Sequence, residues 1–227
     1  MKMYRELEKV VPRQEFFDKM PGLEEVCRDC WKFYLHPRTK SLKSLDIKLG
    51  KQFENAFIEF FDSLGIKCSS DKPRDPYPDL CVKNSSGKTV AYFEVKYLTA
   101  PFVKVFQKVR DRECYEGSTT LDVEGKIAAQ REVVEKEIDV PVYYAYWLDY
   151  PCIKGVFYMT AKKVYEYIDA VGIEWTRRKR EGNFVEGKGK KVLVGAVHKV
   201  YLPLLKMGDF ETFVKELQAL IGETKNV

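Results

Sequence analysis

The chain has 227 residues, of which 45% are hydrophobic and 32% are charged, and its formal net charge is +5. This composition is typical of a folded globular protein and excludes intrinsic disorder over most of the chain. The N-terminus carries charges where a signal peptide needs an apolar run, and no stretch reaches the roughly 18 apolar residues of a membrane span. We therefore expect a cytoplasmic protein that does not bind a membrane, with six cysteines present as reduced thiols.

The first part of the chain has helical patterns. Residues 4–45 form short helical segments interrupted by prolines, and we assign 1–46 to an N-terminal helical extension. Cys27 and Cys30 have zinc-ligand spacing, but a closed structural site needs four ligands and no second pair stands at a matching spacing. One interpretation is zinc or an iron–sulfur cluster completed by distant cysteines. We prefer the other, in which the two thiols lie on a packed helix.

A clear amphipathic helix follows over residues 47–64, with Gly65 as its C-terminal stop. Its large apolar residues recur at three- and four-residue spacing: Phe53, Phe57, Phe60, Phe61 and Leu64. Glu54 departs from the polar face, because it lies at the edge of the apolar stripe. It is either a partly exposed acid at that margin or a carboxylate directed towards a metal.

Two acids and a lysine occupy the next two predicted strands. After a short strand at 66–69 and a polar loop at 70–77, Asp79 begins a strand at its junction with Leu80. A turn at 84–87 connects it to a strand over 89–97 that is rich in β-branched and aromatic residues. Because strands alternate their faces, Glu94 and Lys96 point the same way. The hairpin therefore predicts an acid pair, Asp79 and Glu94, with Lys96 beside it.

The remaining elements alternate between helices and strands. Residues 103–113 are compatible with a helix, 117–125 resemble an ordered loop, and 126–138 form a helix that contains Gln130. Strands are expected at 142–148 and 155–159, and Thr160 is expected to cap a helix at 161–171. Residues 192–204 predict a strand pair or one bent strand. Asp209 is expected to cap a final amphipathic helix that ends at Gly222.

Positive charge is concentrated in one segment. Residues 174–206 contain nine lysines and arginines against three acids, a local charge of +6, whereas the rest of the chain sums to −1. Such a patch predicts a polyanionic partner, although a solvated hairpin without a partner is the alternative. The residues that we expect to contact nucleic acid are Arg177, Arg178, Lys179, Arg180, Lys188, Lys190 and Lys191.

Three short sequences resemble a known family. Residues 50–54 (GKQFE), 77–80 (YPDL) and 92–96 (YFEVK) are similar to the core of the PD-(D/E)xK nuclease superfamily, the restriction endonuclease-like fold. The resemblance covers residues 47–148. It implies an α/β (α+β) fold with a mixed central β-sheet flanked by helices, and we place the nuclease core at 47–172. Residues 173–227 would add the basic segment, further strands and a C-terminal helix to that core, within one structural domain overall.

The resemblance also implies the role of each site residue. Asp79 and Glu94 would bind Mg²⁺, with Mn²⁺ as a possible substitute, and the backbone carbonyl of Val95 would be a further ligand. Lys96 would orient or help to deprotonate the attacking water. Glu54 would be an auxiliary ligand, direct or through water, and Gln130 would contact phosphate or that water. Mg²⁺ prefers hard oxygen ligands of this kind, and only two histidines are available for other chemistry.

The expected function is a Mg²⁺-dependent DNA endonuclease similar to type II restriction enzymes. Cutting both strands asks for two active sites, so a homodimer is expected. A Holliday-junction resolvase or another structure-specific repair nuclease has the same catalytic pattern and is an alternative. A nucleic-acid-binding protein with a nuclease-like core that does not cut is the alternative from another class.

Overall fold

The computed structural model describes residues 43–72, 77–98, 119–122, 127–149, 154–171, 176–177, 183–187, 190–194, 199–202 and 206–223. The predicted N-terminal helices up to residue 42, the Cys27 and Cys30 pair and the predicted helix at 103–113 lie outside this part of the chain.

In chain order, the elements are α1 (Lys43–Ser63), β1 (Cys68–Ser69), β2 (Leu80–Lys83), β3 (Thr89–Leu98), β4 (Thr119–Asp122), α2 (Ala128–Lys136), β5 (Val142–Asp149), β6 (Lys154–Thr160), α3 (Ala161–Val171), β7 (Thr176–Arg177), β8 (Asn183–Gly187), β9 (Lys190–Val194), β10 (Lys199–Leu202) and α4 (Phe210–Glu223). Five of the strands form a central sheet in the order β1-β2-β3-β5-β6. Strands β3 and β5 are parallel, and the other neighbours are antiparallel. The sheet is therefore mixed and flanked by helices, which confirms the predicted α/β class.

The β2–β3 hairpin forms at the predicted turn. The side chain of Asn84 accepts hydrogen bonds from the backbone amides of Ser86 and Lys88, which explains why this polar residue is buried in a turn. Gly87 has a φ of 82°, a conformation that other residues rarely adopt. The hairpin places Leu80 opposite Phe93. This register decides which residues of the two strands become neighbours.

One face of the sheet packs against α1 and α4 in an apolar layer. Its fully buried side chains include Phe57, Phe61, Phe93, Phe213 and Leu217. Helix α1 ends as predicted, because Gly65 has a φ of 73° and the amide of Ile66 bonds back to the carbonyl of Phe61. Helix α4 begins as predicted, since the carboxylate of Asp209 accepts a 2.9 Å hydrogen bond from the amide of Thr212. Both helices are thus fixed over this face.

The opposite face of the sheet packs against α2 and α3. Its buried layer contains Tyr144, Phe157 and Val164, together with Leu121 of β4 and Leu202 of β10. Thr160 caps α3 as predicted, through a 3.3 Å bond from the amide of Lys163. Among the described helices, none is long and apolar enough to cross a membrane.

Two parts of the chain differ from the expectation. Strand β4 lies inside the predicted loop at 117–125 and pairs with β10, which is far away in sequence. Residues 192–204 contribute to two strands, but β9 pairs with β8 whereas β10 pairs with β4 and β7. The prediction of a strand pair was therefore wrong in its pairing. Strands β8 and β9 are a local hairpin, whereas β10 joins strands that are distant in sequence, and local propensity carries no information about such distant partners.

Candidate functional site

Buried polar side chains mark the candidate site. In the described part of the chain, three such residues other than tyrosines are buried: Asn84, Glu94 and Gln130. Asn84 is accounted for by its turn. Glu94 and Gln130 are 2% and 4% exposed, and the Gln130 Nε2 donates to Glu94 Oε1 at 3.3 Å. Burial of a carboxylate this deep costs folding free energy unless neighbouring groups compensate its charge. The groups around Glu94 therefore decide whether it is stable there.

Asp79 is the acid beside Glu94, as the sequence predicted. Because Leu80 lies opposite Phe93 in antiparallel strands, the residue before Leu80 lies opposite the residue after Phe93. The Asp79 Oδ2 accepts a 2.8 Å hydrogen bond from the backbone amide of Val95. The pKa of Asp79 is raised to about 7, first by burial and then by the negative charge of Glu94, against the opposing effects of Lys96 and the Val95 amide. The two carboxyl groups therefore share one poorly solvated place.

Lys96 completes the predicted trio. Its Nζ forms an ion pair with Glu94 Oε1 and lies 3.4 Å from the backbone carbonyl oxygen of Val95. The side chain of Lys96 is 23% exposed, whereas that of Glu94 is 2% exposed. The Lys96 side chain therefore lies between the buried carboxylate of Glu94 and the solvent-accessible edge of the site.

Gln130 reaches the site from α2, as predicted, and a tyrosine that the sequence did not single out holds it. The hydroxyl of Tyr144 donates to Gln130 Oε1 at 2.8 Å and lies 3.3 Å from the hydroxyl of Tyr165. Burial raises the pKa of Tyr144 above its ordinary range, so the hydroxyl keeps its proton and remains a donor. Buried tyrosine hydroxyls usually have a hydrogen-bond partner. The sequence could not identify Gln130 as the partner of Tyr144, because the parallel pairing of β3 and β5 that brings Tyr144 to the site joins distant segments.

Glu54 lies near this site, but it does not form a three-acid cluster with Asp79 and Glu94. Burial raises the pKa of Glu54; the positive charges of Lys72, Lys51 and Lys96 lower it, and the charge of Glu94 raises it. Lys72 also donates a hydrogen bond to the carbonyl of Pro78, the residue before Asp79. Within the part of the chain that the structure describes, no three acidic, histidine or cysteine side chains are grouped closely enough to hold a metal ion.

The donor set nevertheless suits a hard divalent cation. Two carboxylates, those of Asp79 and Glu94, and the carbonyl of Val95 lie together. Mg²⁺ is commonly bound by one or two carboxylates with water and substrate phosphate in its other positions, so a third acid is not required. The pKa of Asp79 is raised first by burial and then by the charge of Glu94, and a bound cation would favour the ionised form of both acids.

The predicted nucleic-acid contacts are only partly described. Arg177 lies in β7, and Lys190 and Lys191 begin β9, which forms a hairpin with β8. Arg178, Lys179, Arg180 and Lys188 lie outside the described residues. The backbone therefore places Lys190 and Lys191 on a hairpin, and the contact role of the basic residues stays a prediction.

The fold and site define an α/β protein with a mixed five-stranded sheet and a buried acid pair next to a lysine. Scans against protein-family models, curated proteins and solved structures each found no match to this chain. The assignment of a function consequently depends on the chemistry of the site.

Proposed function

We propose that this protein is a Mg²⁺-dependent DNA endonuclease with a restriction endonuclease-like core. The observation that carries the proposal is the convergence of Asp79, Glu94 and Lys96 at the β2–β3 pair, with the Val95 carbonyl at the same place. Adjacent carboxylates are rare in folded cores, because they repel each other and because burial disfavours their charged forms. Their presence together at one point of the sheet supports a catalytic use.

In this proposal, Asp79, Glu94 and the Val95 carbonyl would hold Mg²⁺. The bound cation supplies positive charge to the phosphate and acidifies water, so that an acid pair without histidine suffices. Lys96 extends from Glu94 towards solvent and would orient the attacking water as an ammonium group or take its proton as the neutral amine. Gln130 fixes the buried end of Glu94 through its side-chain amide. Each residue therefore has a distinct task.

Substrate binding would use positive charge around the acids. Lys51 and Lys72 act electrostatically on Glu54, and they would meet a phosphate backbone that approaches the site. The basic segment that includes Arg177, Lys190 and Lys191 would extend this surface. Cleavage of both strands would require two copies of the site, so the proposed active form is a homodimer.

Cleavage of supercoiled plasmid in Mg²⁺ or Mn²⁺, with an EDTA control, tests the proposal. We expect nicked or linear product, and a rate that falls at least about 100-fold in Lys96→Ala and Asp79→Ala while DNA binding survives. Lys88→Ala is the matched control, because Lys88 is an exposed lysine of the same hairpin. Cleavage by both site variants at the wild-type rate would refute the assignment.

The same preparation separates the related functions. Linear duplex and a four-way junction are assayed beside the plasmid. Cutting of the junction alone would identify a structure-specific nuclease with the same active site. Binding of DNA with no cleavage of any substrate in either metal would instead indicate a binding protein.

A further inference from the structure

A continuous chain of hydrogen-bonding groups runs from the protein interior to the acid pair. The Tyr165 and Tyr144 hydroxyls lie 3.3 Å apart, Tyr144 donates to Gln130 Oε1 at 2.8 Å, and Gln130 Nε2 donates to Glu94 Oε1 at 3.3 Å. Glu94 Oε1 also accepts the ion-pair contact from Lys96. All members apart from Lys96 are buried.

The direction of the donors is fixed by chemistry. An ionised carboxylate only accepts, so Gln130 must present its NH₂ group to Glu94. Its carbonyl oxygen then requires a donor on the opposite side, and the Tyr144 hydroxyl is in that position. Without this donor, the glutamine oxygen would be left unsatisfied in a buried place, and the amide could rotate and turn its oxygen towards Glu94.

The position of Tyr144 follows from the sheet. In the parallel register of β3 and β5, Glu94 pairs with Tyr144, and α2 precedes β5 in the chain. Tyr143, the preceding residue, belongs to the opposite apolar layer with Phe213. Two adjacent tyrosines of one strand therefore serve two different faces.

We infer that Tyr144 is a positioning residue, which holds the Gln130 amide so that Glu94 keeps one orientation beside Asp79 and Lys96. This inference rests on the proposed function for its catalytic meaning. Groups that orient a metal ligand from behind commonly change affinity or activity by 10- to 100-fold when they are removed. Tyr144 would act through Gln130 and would never touch the substrate.

A double-mutant cycle of Tyr144→Phe and Gln130→Met tests this role. We expect each single variant to lower the single-turnover cleavage rate in Mn²⁺ about 10-fold with unchanged DNA affinity, and to raise the Mn²⁺ concentration needed for half-maximal rate. The double variant should lose no more than about another twofold, because both changes break one chain. Tyr143→Phe is the matched control and should cleave like the wild type.

A second readout does not depend on cleavage. The side-chain NH₂ signals of Gln130 in a ¹⁵N-labelled protein are assigned by their loss in Gln130→Met. They should shift in Tyr144→Phe and, less strongly, in Tyr165→Phe, and they should stay in place in Tyr143→Phe. If Tyr144→Phe does not fold, Tyr165→Phe carries the same comparison.

The outcomes separate the two proposals. Unchanged Gln130 signals, or multiplicative losses in the double variant, would overturn the role of Tyr144 even if the wild type cuts DNA. Shifted signals in a protein that cuts no DNA would support the positioning role and overturn the nuclease proposal.

Discussion

The two faces of strand β3 differ although they come from adjacent residues. Phe93 points into a fully apolar layer with Phe61 and Phe213, whose ring centroids lie 5.6 Å and 5.9 Å away. Glu94 points to the other side, where its contacts include a lysine and a glutamine. One strand thus separates a face that stabilises the fold from a face that concentrates charge.

This difference shows how a small α/β protein can tolerate a costly site. The apolar face supplies packing energy that does not depend on pH or on ligands. The polar face contains the buried Glu94 beside the half-buried Asp79, and this acid pair opposes folding unless a proton or a cation is present. Substitutions on the apolar face should therefore lower the free energy of unfolding. Substitutions of the acids on the polar face should instead abolish activity without lowering the free energy of unfolding.

Phe93→Ala should produce the largest effect. The side chain is fully buried between two helices, so its loss is expected to lower the free energy of unfolding by about 3–5 kcal/mol. Leu64→Ala is the control, because Leu64 is an apolar residue that is 38% exposed, and it should change stability by less than about 1 kcal/mol. Denaturant unfolding measures both. Equal effects would mean that the apolar face is not the main source of stability.

The pH dependence of the free energy of unfolding should report on the acid pair of the polar face. In the metal-free protein the pKa of Asp79 is raised from 3.8 to about 7, so the folded state binds this proton more tightly than the unfolded state. The stabilising contribution is complete below about pH 4 and is lost as the pH rises through 7, by an amount on the order of a few kcal/mol. Unfolding in EDTA between pH 4 and 8 measures it. The difference between wild type and Asp79→Asn isolates this group, and parallel profiles would contradict the raised pKa.

Loosening the helix over the apolar face should affect stability alone. Asp209→Ala removes the cap of α4 and is expected to cost about 1 kcal/mol of unfolding free energy, while cleavage per folded molecule stays unchanged. Thr160→Ala removes a longer capping bond from α3 and should cost less. Unfolding and cleavage assays on the same samples check this. A loss of activity in folded Asp209→Ala protein would show that the two faces are coupled.

The smallest expected effect concerns charge around the site. Removing both Lys51 and Lys72 by alanine substitution should weaken DNA binding about threefold and reduce its salt dependence, since these charges lie beside Glu54 at the site. Lys215→Ala, an exposed lysine that pairs with Glu211 on α4, is the control and should bind normally. Fluorescence anisotropy over a salt series measures both. An identical salt slope in the double variant and the wild type would remove these lysines from the substrate surface.

Local patterns were enough to predict the parts of the fold that depend on near neighbours. The β2–β3 hairpin and the Asp79, Glu94 and Lys96 trio follow from a turn signal and strand alternation within about 20 residues. The ends of α1 and α4 followed from Gly65 and Asp209 for the same reason.

Features that depend on distant pairing could not be predicted. Tyr144 was one of several tyrosines in a strand, and only the parallel register with β3 places it beside Glu94. In the sequence, Lys72 is one residue of a polar loop. Only its contact with the carbonyl of Pro78 in the folded protein shows that it lies near the acids. Strand β4 is four residues long and becomes a strand through its partner β10, so its own sequence carried too weak a signal.

The Asp79→Asn variant reports on the stability and the activity of the acid pair together when unfolding and cleavage are measured on one sample at pH 8. This variant should unfold at higher denaturant than the wild type in EDTA, because the burial of the Asp79 charge and its repulsion with Glu94 are both removed, and it should no longer cleave plasmid in Mg²⁺ or Mn²⁺. A variant that is less stable than the wild type and still cleaves DNA at the wild-type rate would show that the acid pair neither opposes folding nor takes part in cleavage.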